Sequence, residues 1–186
     1  MKKFLPLSLF VIVFAVTLGG SIIHKNYPDL FKSSEESPAE YKPYESSFLH
    51  ANYVALDGKN VEMSKLSAPV IIYNFWASWC MPCLEEMPSM IKLKKRFSAD
   101  QLQIVAINTD EDDQIANIEK TIKKINLGEE FLIIPDKDST LVNEFKIAAI
   151  PVTIIFHRGK VVHFSNGPMD FSSEEIIEKM NKWVSE

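Results

Sequence analysis

The stretch that most constrains this chain begins with Val70-Ile71-Ile72-Tyr73-Asn74-Phe75-Trp76 and runs through Ala77-Ser78-Trp79 into Cys80-Met81-Pro82-Cys83. A continuous run of β-branched and aromatic residues reads as a central strand covered on both faces, because a strand with one wet face alternates instead. A helix is predicted directly after it, from Met81 to about Phe97. The rest of the chain supplies partners in the same alternation. Asn52–Leu56 and Asn60–Met63 flank an Asp57-Gly58 turn signal and predict a hairpin. Gln103–Asn108 is a second buried strand, followed by Ile115, Ile118, Ile122 and Ile125 at helical spacing. A short strand at Phe131–Ile134, a brief helix near Thr140–Phe145 and a strand at Val152–Phe156 come next. Arg158-Gly159-Lys160 then turns the chain back into Val161–Phe164. The last helix, Ser172 to Val184, opens with a capping-box pattern if Ser172 is the N-cap. These patterns predict an α/β fold, a three-layer sandwich around a central mixed sheet with a hairpin extension at its N-terminal end.

The chain has only two cysteines, three positions apart, too few for a disulfide-stapled scaffold. Cys80 falls where the strand gives way to the helix and Cys83 one helical turn further in, so the two sulfurs are within bonding reach. Unpaired N–H groups and partial positive charge at a helix N-terminus favour thiolate over thiol, which makes Cys80 the expected nucleophile and Cys83 the resolving thiol. Trp76 and Trp79 are both candidates for a flat apolar rim, with core packing the alternative for Trp76. Pro88 has no N–H for the Leu84 carbonyl and is expected to kink the helix. A structural zinc site would need two more ligands, and no second C-x-x-C or closely spaced histidine pair supplies them. A copper site would have to recruit His157 or His163, with no third soft ligand at hand.

The N-terminus bears on location. Lys2 and Lys3 precede a segment without charge from Phe4 to Ile23, which at about 1.5 Å per residue matches a hydrocarbon core of about 30 Å. Residues 1–23 are expected to be a signal anchor or a cleaved signal peptide, the paired lysines favouring a cytoplasmic N-terminus and the anchor. Residues 24–47, rich in serine and glutamate, are expected to be a flexible linker. The folded domain is expected over 48–186. Twenty-five acidic against twenty basic residues, net charge −5, with no basic run interleaved with aromatics, argue against nucleic acid as a partner.

The segment Asn74–Cys83, with Glu86 and Pro88 in the same helix and Ile150-Pro151-Val152-Thr153 opening a later strand, resembles the thioredoxin-like proteins of the TlpA/ResA/CcmG type over about 48–186. The resemblance implies a thioredoxin-like fold and a membrane-tethered or exported thiol–disulfide oxidoreductase, placed in the periplasm or on the outer face of the cytoplasmic membrane. Its substrates would be disulfides of exported proteins, such as those of cytochrome c maturation, with electrons from a membrane thiol reductase. A redox-active Cys80–Cys83 couple would need no organic cofactor, and the protein is expected to be a monomer. The resemblance further implies that Pro151 is cis and that Ile150 offers its backbone to an incoming chain, with Trp79, Met81 and Pro82 completing the partner contact. Thioredoxins proper carry a buried aspartate where this chain has Asn74, so the proton must go elsewhere. Glu86, one turn beyond Cys83, is the expected acid–base group; a solvated carboxylate describes Glu85 better. The Met81-Pro82 dipeptide matches neither a standard reductant nor a standard oxidant, so an oxidase or isomerase on the same scaffold stays open, as does a copper-delivery module. Ala77 stands where a peroxidase would have threonine.

Overall fold

The computed structural model describes residues 38–127 and 131–186. The expected anchor or signal peptide, and residues 24–37 of the expected linker, lie outside the described residues. Among the described residues no helix is long and apolar enough to cross a membrane.

Residues 38–47 correct the linker boundary. A 3-10 turn at Ala39–Tyr41 leads into helix α1 (Lys42–His50), with Pro43 at its second position, where a missing N–H costs nothing. Tyr41, Tyr44 and Phe48 share one helical face, and that face is packed. Phe48 stacks on Phe156 with ring centroids 4.6 Å apart, while Tyr44 lies 5.5 Å from Phe164 and 6.1 Å from Phe145. Glu45, buried between them, accepts from Val161 N at 3.1 Å and pairs with Lys160 at 3.1 Å. The folded unit therefore starts about ten residues earlier than its composition suggests, because aromatic burial outweighs the polar residues between.

After α1 come the hairpin strands β1 (Asn52–Val54) and β2 (Asn60–Glu62), then β3 (Val70–Trp76), α2 (Met81–Lys94), β4 (Leu102–Asn108), α3 (Gln114–Ile125) and β5 (Phe131–Pro135). Helix α4 (Thr140–Glu144), β6 (Val152–His157), β7 (Lys160–Asn166) and α5 (Glu174–Ser185) complete the chain. The main sheet has the order β5-β4-β3-β6-β7, with β3, β4 and β5 parallel and β6 and β7 antiparallel to their neighbours. Arg158 and Gly159 both adopt positive φ, as a two-residue hairpin between His157 and Lys160 requires. This is the mixed α/β sandwich that the sequence predicts.

β3 lies at the centre and is buried at every position. Its alternation feeds two cores. Val70, Ile72 and Trp76 pack with Cys83, Met87, Met90 and Leu93 of α2 and with Ile176, Met180 and Trp183 of α5. Ile71, Tyr73 and Phe75 pack on the other face with Phe48, Leu141, Phe145 and Phe156. Trp76 is thus a core residue. α2 continues through Pro88 to Lys94, and Ser89 Oγ donates to the Glu86 carbonyl at 2.8 Å. The last helix starts later than expected, with Ser173 as N-cap. Ser172 instead donates to Asp170 through its backbone N–H, so no capping box forms.

Candidate active site

The central strand delivers its next residues to the C-terminal edge of the sheet, and the chain reverses there into α2. Cys80 is the N-cap of that helix: its carbonyl accepts from Leu84 N at 3.1 Å, and its sulfur accepts from Cys83 N at 3.3 Å. Cys80 and Cys83 are joined as a disulfide, with Cα atoms 5.3 Å apart. Cys83 is fully buried while Cys80 keeps 5% of its surface. An attacking group from outside therefore meets Cys80 first. Once reduced, the Cys80 sulfur lies at the positive end of α2 beside a backbone N–H, the setting that lowers a thiol's pKa.

Around the disulfide the surface is apolar and uncovered. Trp79 is 69% exposed, and Met81 and Pro82 are exposed beside it. The other half of this rim comes from the start of β6. Val152 pairs with Phe75, which places Pro151 level with Trp76 at the strand end from which the cysteine loop departs. The Ile150–Pro151 peptide is cis, and half-buried Ile150 packs against the cluster that holds both cysteines. The structure thus gathers Trp79, Cys80, Met81, Pro82, Ile150 and Pro151 at one end of the sheet.

Beneath the disulfide lies a polar network inside an apolar core. Glu86, buried one turn beyond Cys83, accepts from Asn74 Nδ2 at 2.7 Å and from Met169 N at 2.9 Å. Asn74 Nδ2 also donates to Thr153 Oγ1 at 3.1 Å, its register partner across β3 and β6. Burial pushes the Glu86 carboxyl above its ordinary value, and the Met169 N–H and the Asn74 amide partly pull it back. Glu85, by contrast, is exposed. Asn74 thus works as a donor that holds Glu86 in place.

In the sequence Thr153 stood out only as part of the Ile150–Thr153 motif, and Met169 was not singled out. The single polar residue within the apolar run of β3 was the one signal for this network, since a buried amide demands partners. Asp110 was missed as well. This buried carboxylate accepts from Ser78 N at 3.0 Å, just before the active-site tryptophan. Neither histidine of the copper alternative joins the site. His157 ends β6 at the opposite end of the strand from Pro151. His163 lies half-buried against α5, its basicity lowered by burial and by Lys179, with Glu175 opposing. Among the described residues no group of three or more histidine, cysteine, aspartate or glutamate side chains is placed to hold a metal ion.

A strand–C-x-x-C–helix turn with a helix-capping sulfur, a cis-proline at the same end of the sheet and a mixed five-stranded sheet define a dithiol–disulfide exchange protein. The Redoxin family profile matches residues 38–180, and the chain belongs to that family. The thiol-disulfide oxidoreductase ResA of Bacillus cereus is 26% identical over 175 residues, covering 94% of this chain and 95% of that protein. ResA of Bacillus subtilis is 32% identical over 122 residues, 63% of this chain and 65% of that protein. Among solved structures, StoA from Bacillus subtilis superposes with a TM-score of 0.57 at 25% identity, over 74% of this chain and 98% of its own. The family match begins at residue 38, where the described fold begins. The protein is a thiol–disulfide oxidoreductase with Cys80 and Cys83 as its redox pair.

Proposed function

We propose that this chain works outside the cytoplasm as a reductant of disulfides in exported proteins. The observation that carries this reading is the Cys80–Cys83 disulfide at the N-terminus of α2, with buried Glu86 one turn behind it. A donor dithiol first supplies two electrons and two protons, opening the disulfide to two thiols. The Cys80 thiolate then attacks a partner disulfide. One partner sulfur leaves as thiolate and a mixed disulfide forms on Cys80. Glu86 takes the Cys83 proton, and the Cys83 thiolate attacks the Cys80 sulfur. The second partner sulfur leaves, and solvent and Glu86 return the two protons. Protein dithiol and partner disulfide thus become protein disulfide and partner dithiol, with no organic cofactor or metal in the cycle.

Trp79, Met81 and Pro82 on one side, and Ile150 and Pro151 on the other, form the platform on which a partner segment lies. Trp79, Met81 and Pro82 are exposed, Ile150 is half-buried and Pro151 buried, and none of the five is charged, a surface that suits an unfolded or loosely folded polypeptide. Proteins of cytochrome c maturation are the substrate class that fits the family resemblance, a membrane thiol reductase the electron donor, and residues 4–23 the tether. The protein acts as a monomer in this scheme. The Met81-Pro82 dipeptide between the cysteines matches neither a standard reductant nor a standard oxidant, which keeps one alternative open, an oxidase or isomerase using the same residues in the reverse direction.

Equilibration of the Cys80/Cys83 couple against defined thiol–disulfide buffers tests the direction. A reduction potential near or below about −240 mV is expected of a dedicated reductant, whereas a value above about −180 mV would make the protein an oxidant or isomerase.

A further inference from the structure

Trp79 projects from the protein with little packing to hold it, so its direction is set by the backbone on either side. That backbone is tied both to the loop after β4 and within its own turn. The Trp76 carbonyl accepts from Thr109 N at 2.9 Å and from Thr109 Oγ1 at 3.3 Å. Ser78 N donates to Asp110 Oδ1 at 3.0 Å, and Cys80 N donates to the Ala77 carbonyl at 3.1 Å. Trp79 therefore hangs between two anchored amides, and one of the anchors is a side chain from the loop after β4.

That side chain is 2% exposed and fully engaged. Asp110 Oδ2 accepts from Asn108 Nδ2 at 3.2 Å, and Asn108 Oδ1 accepts in return from Asp110 N at 3.0 Å. The Asn108 carbonyl is itself held by Gln114 Nε2 at 3.0 Å and by Asp136 N at 2.9 Å. Position 110 must therefore accept through two atoms, from a backbone N–H on one side and an amide NH₂ on the other. A carboxylate does this; an asparagine offers one acceptor and turns a donor toward the second donor. A buried carboxylate is costly unless it is satisfied in this way, and nothing in the exchange chemistry uses it.

We propose that Asp110 is a positioning residue for partner docking: by holding the Ser78 amide it fixes the Trp79 side of the platform in the orientation that a polypeptide disulfide meets. This rests on the exchange activity of the Cys80/Cys83 pair but not on the direction of exchange. The strut acts on the platform, while the sulfurs are positioned by the N-terminus of α2. Its loss should weaken the docking of an extended substrate and leave attack on a small disulfide unchanged.

The test uses the full chain and two probes, an oxidised or reduced Cys-Ala-Ala-Cys peptide with flanking residues, and the small aromatic disulfide 5,5′-dithiobis(2-nitrobenzoate). For Asp110→Asn the peptide KM should rise about ten-fold, as expected for one broken buried hydrogen bond, with kcat and the small-disulfide rate within two-fold of wild type. The double variant Asn108→Asp/Asp110→Asn exchanges acceptor and donor, keeps all three hydrogen bonds, and should restore the wild-type KM. An unchanged KM in Asp110→Asn, an equal fall in the small-disulfide rate, or failure of the folded double variant to restore KM would overturn the proposal. Amide hydrogen exchange on the wild-type chain provides a measurement independent of any variant. The Ser78 amide should exchange slowly despite its place in a surface loop, and rapid exchange there would also overturn the proposal. A wild type that only oxidises the peptide refutes the direction proposed above and leaves this comparison intact, because the two KM values are then taken in that direction.

Discussion

Replacing Glu86 by glutamine separates proton chemistry from structure unusually well. Glu86 accepts two hydrogen bonds, from Asn74 Nδ2 and from Met169 N. In the Glu86→Gln variant one oxygen keeps the Met169 contact and the new NH₂ faces Asn74. Asn74 Oδ1 is buried without a hydrogen-bond partner in the structure, so an amide flip turns that oxygen toward the new donor. Thr153 Oγ, which accepts from Asn74 now, rotates to donate to the same oxygen. The flip leaves the Asn74 NH₂ on the side where no partner is found, which costs about 1–3 kcal/mol, so the variant should fold with lowered stability. The proton acceptor is lost. A cysteine thiol with its ordinary pKa of about 8.5 is only about 3% thiolate at pH 7, and the complete burial of Cys83 lowers that fraction further. Delivering that proton to Glu86 is therefore worth at least about 30-fold, a floor just below the 10²–10⁴ typical of general acid–base catalysis. Rapid mixing of reduced protein with a peptide disulfide, quenched with acid and followed by mass, reads the decay of the mixed disulfide on Cys80. Its resolution should slow about 30- to 100-fold at pH 7 and converge with wild type as pH rises past the thiol's own titration. Stability gives a second readout. The folded state holds the Glu86 proton to higher pH than the unfolded chain, so wild-type stability should decline as pH rises from the ordinary glutamate range to the raised folded value. The glutamine variant should lack that decline. A folded variant with wild-type resolution and an unchanged pH profile would refute the assignment of Glu86.

Glu45→Ala should destabilise the domain by about 2 kcal/mol, because it strands the Val161 N–H in a buried position; the half-exposed partner Lys160 adds little. Thermal unfolding should register this as a fall in Tm of about 4–8 °C. Trp79→Ala should leave Tm within about 1–2 °C, since the ring is mostly solvated, while raising the KM for a polypeptide disulfide several-fold in steady-state exchange. An equal loss of stability would mean that Trp79 is a packing residue.

Strand signals in this chain survive translation into structure almost residue for residue, because β3 and β4 are apolar on both faces and no other element can bury such runs. Val70–Trp76 and the turn at Arg158-Gly159 are examples. Helix starts were harder. Ser172 and Ser173 offer the same cap chemistry, and the neighbouring Asp170 decides between them by engaging Ser172. α1 was lost in the polar composition of residues 38–47, although Tyr41, Tyr44 and Phe48 stand at helical spacing; periodicity carried the signal that composition hid. At the site, local sequence was enough to place Cys80 and Cys83, and the family resemblance picked out Glu86 one turn further along. Asp110, Thr153 and Met169 act across loops and strands distant in sequence, and only the register of the sheet brings them in.

Glu45 has a further consequence at the border of the sheet. β7 is an edge strand, and an edge offers unpaired N–H and C=O groups to any strand that drifts past, another copy of the same chain included. The Glu45 carboxylate takes the Val161 N–H, and the helix carrying it lies along that border on a bed of aromatic rings. At the other border, Leu56 N donates to the Ile133 carbonyl of β5. A stray strand that tried to lengthen the sheet at β7 would first have to evict a buried, hydrogen-bonded carboxylate. A segment whose composition suggested a mere leash thus serves as a guard against aggregation.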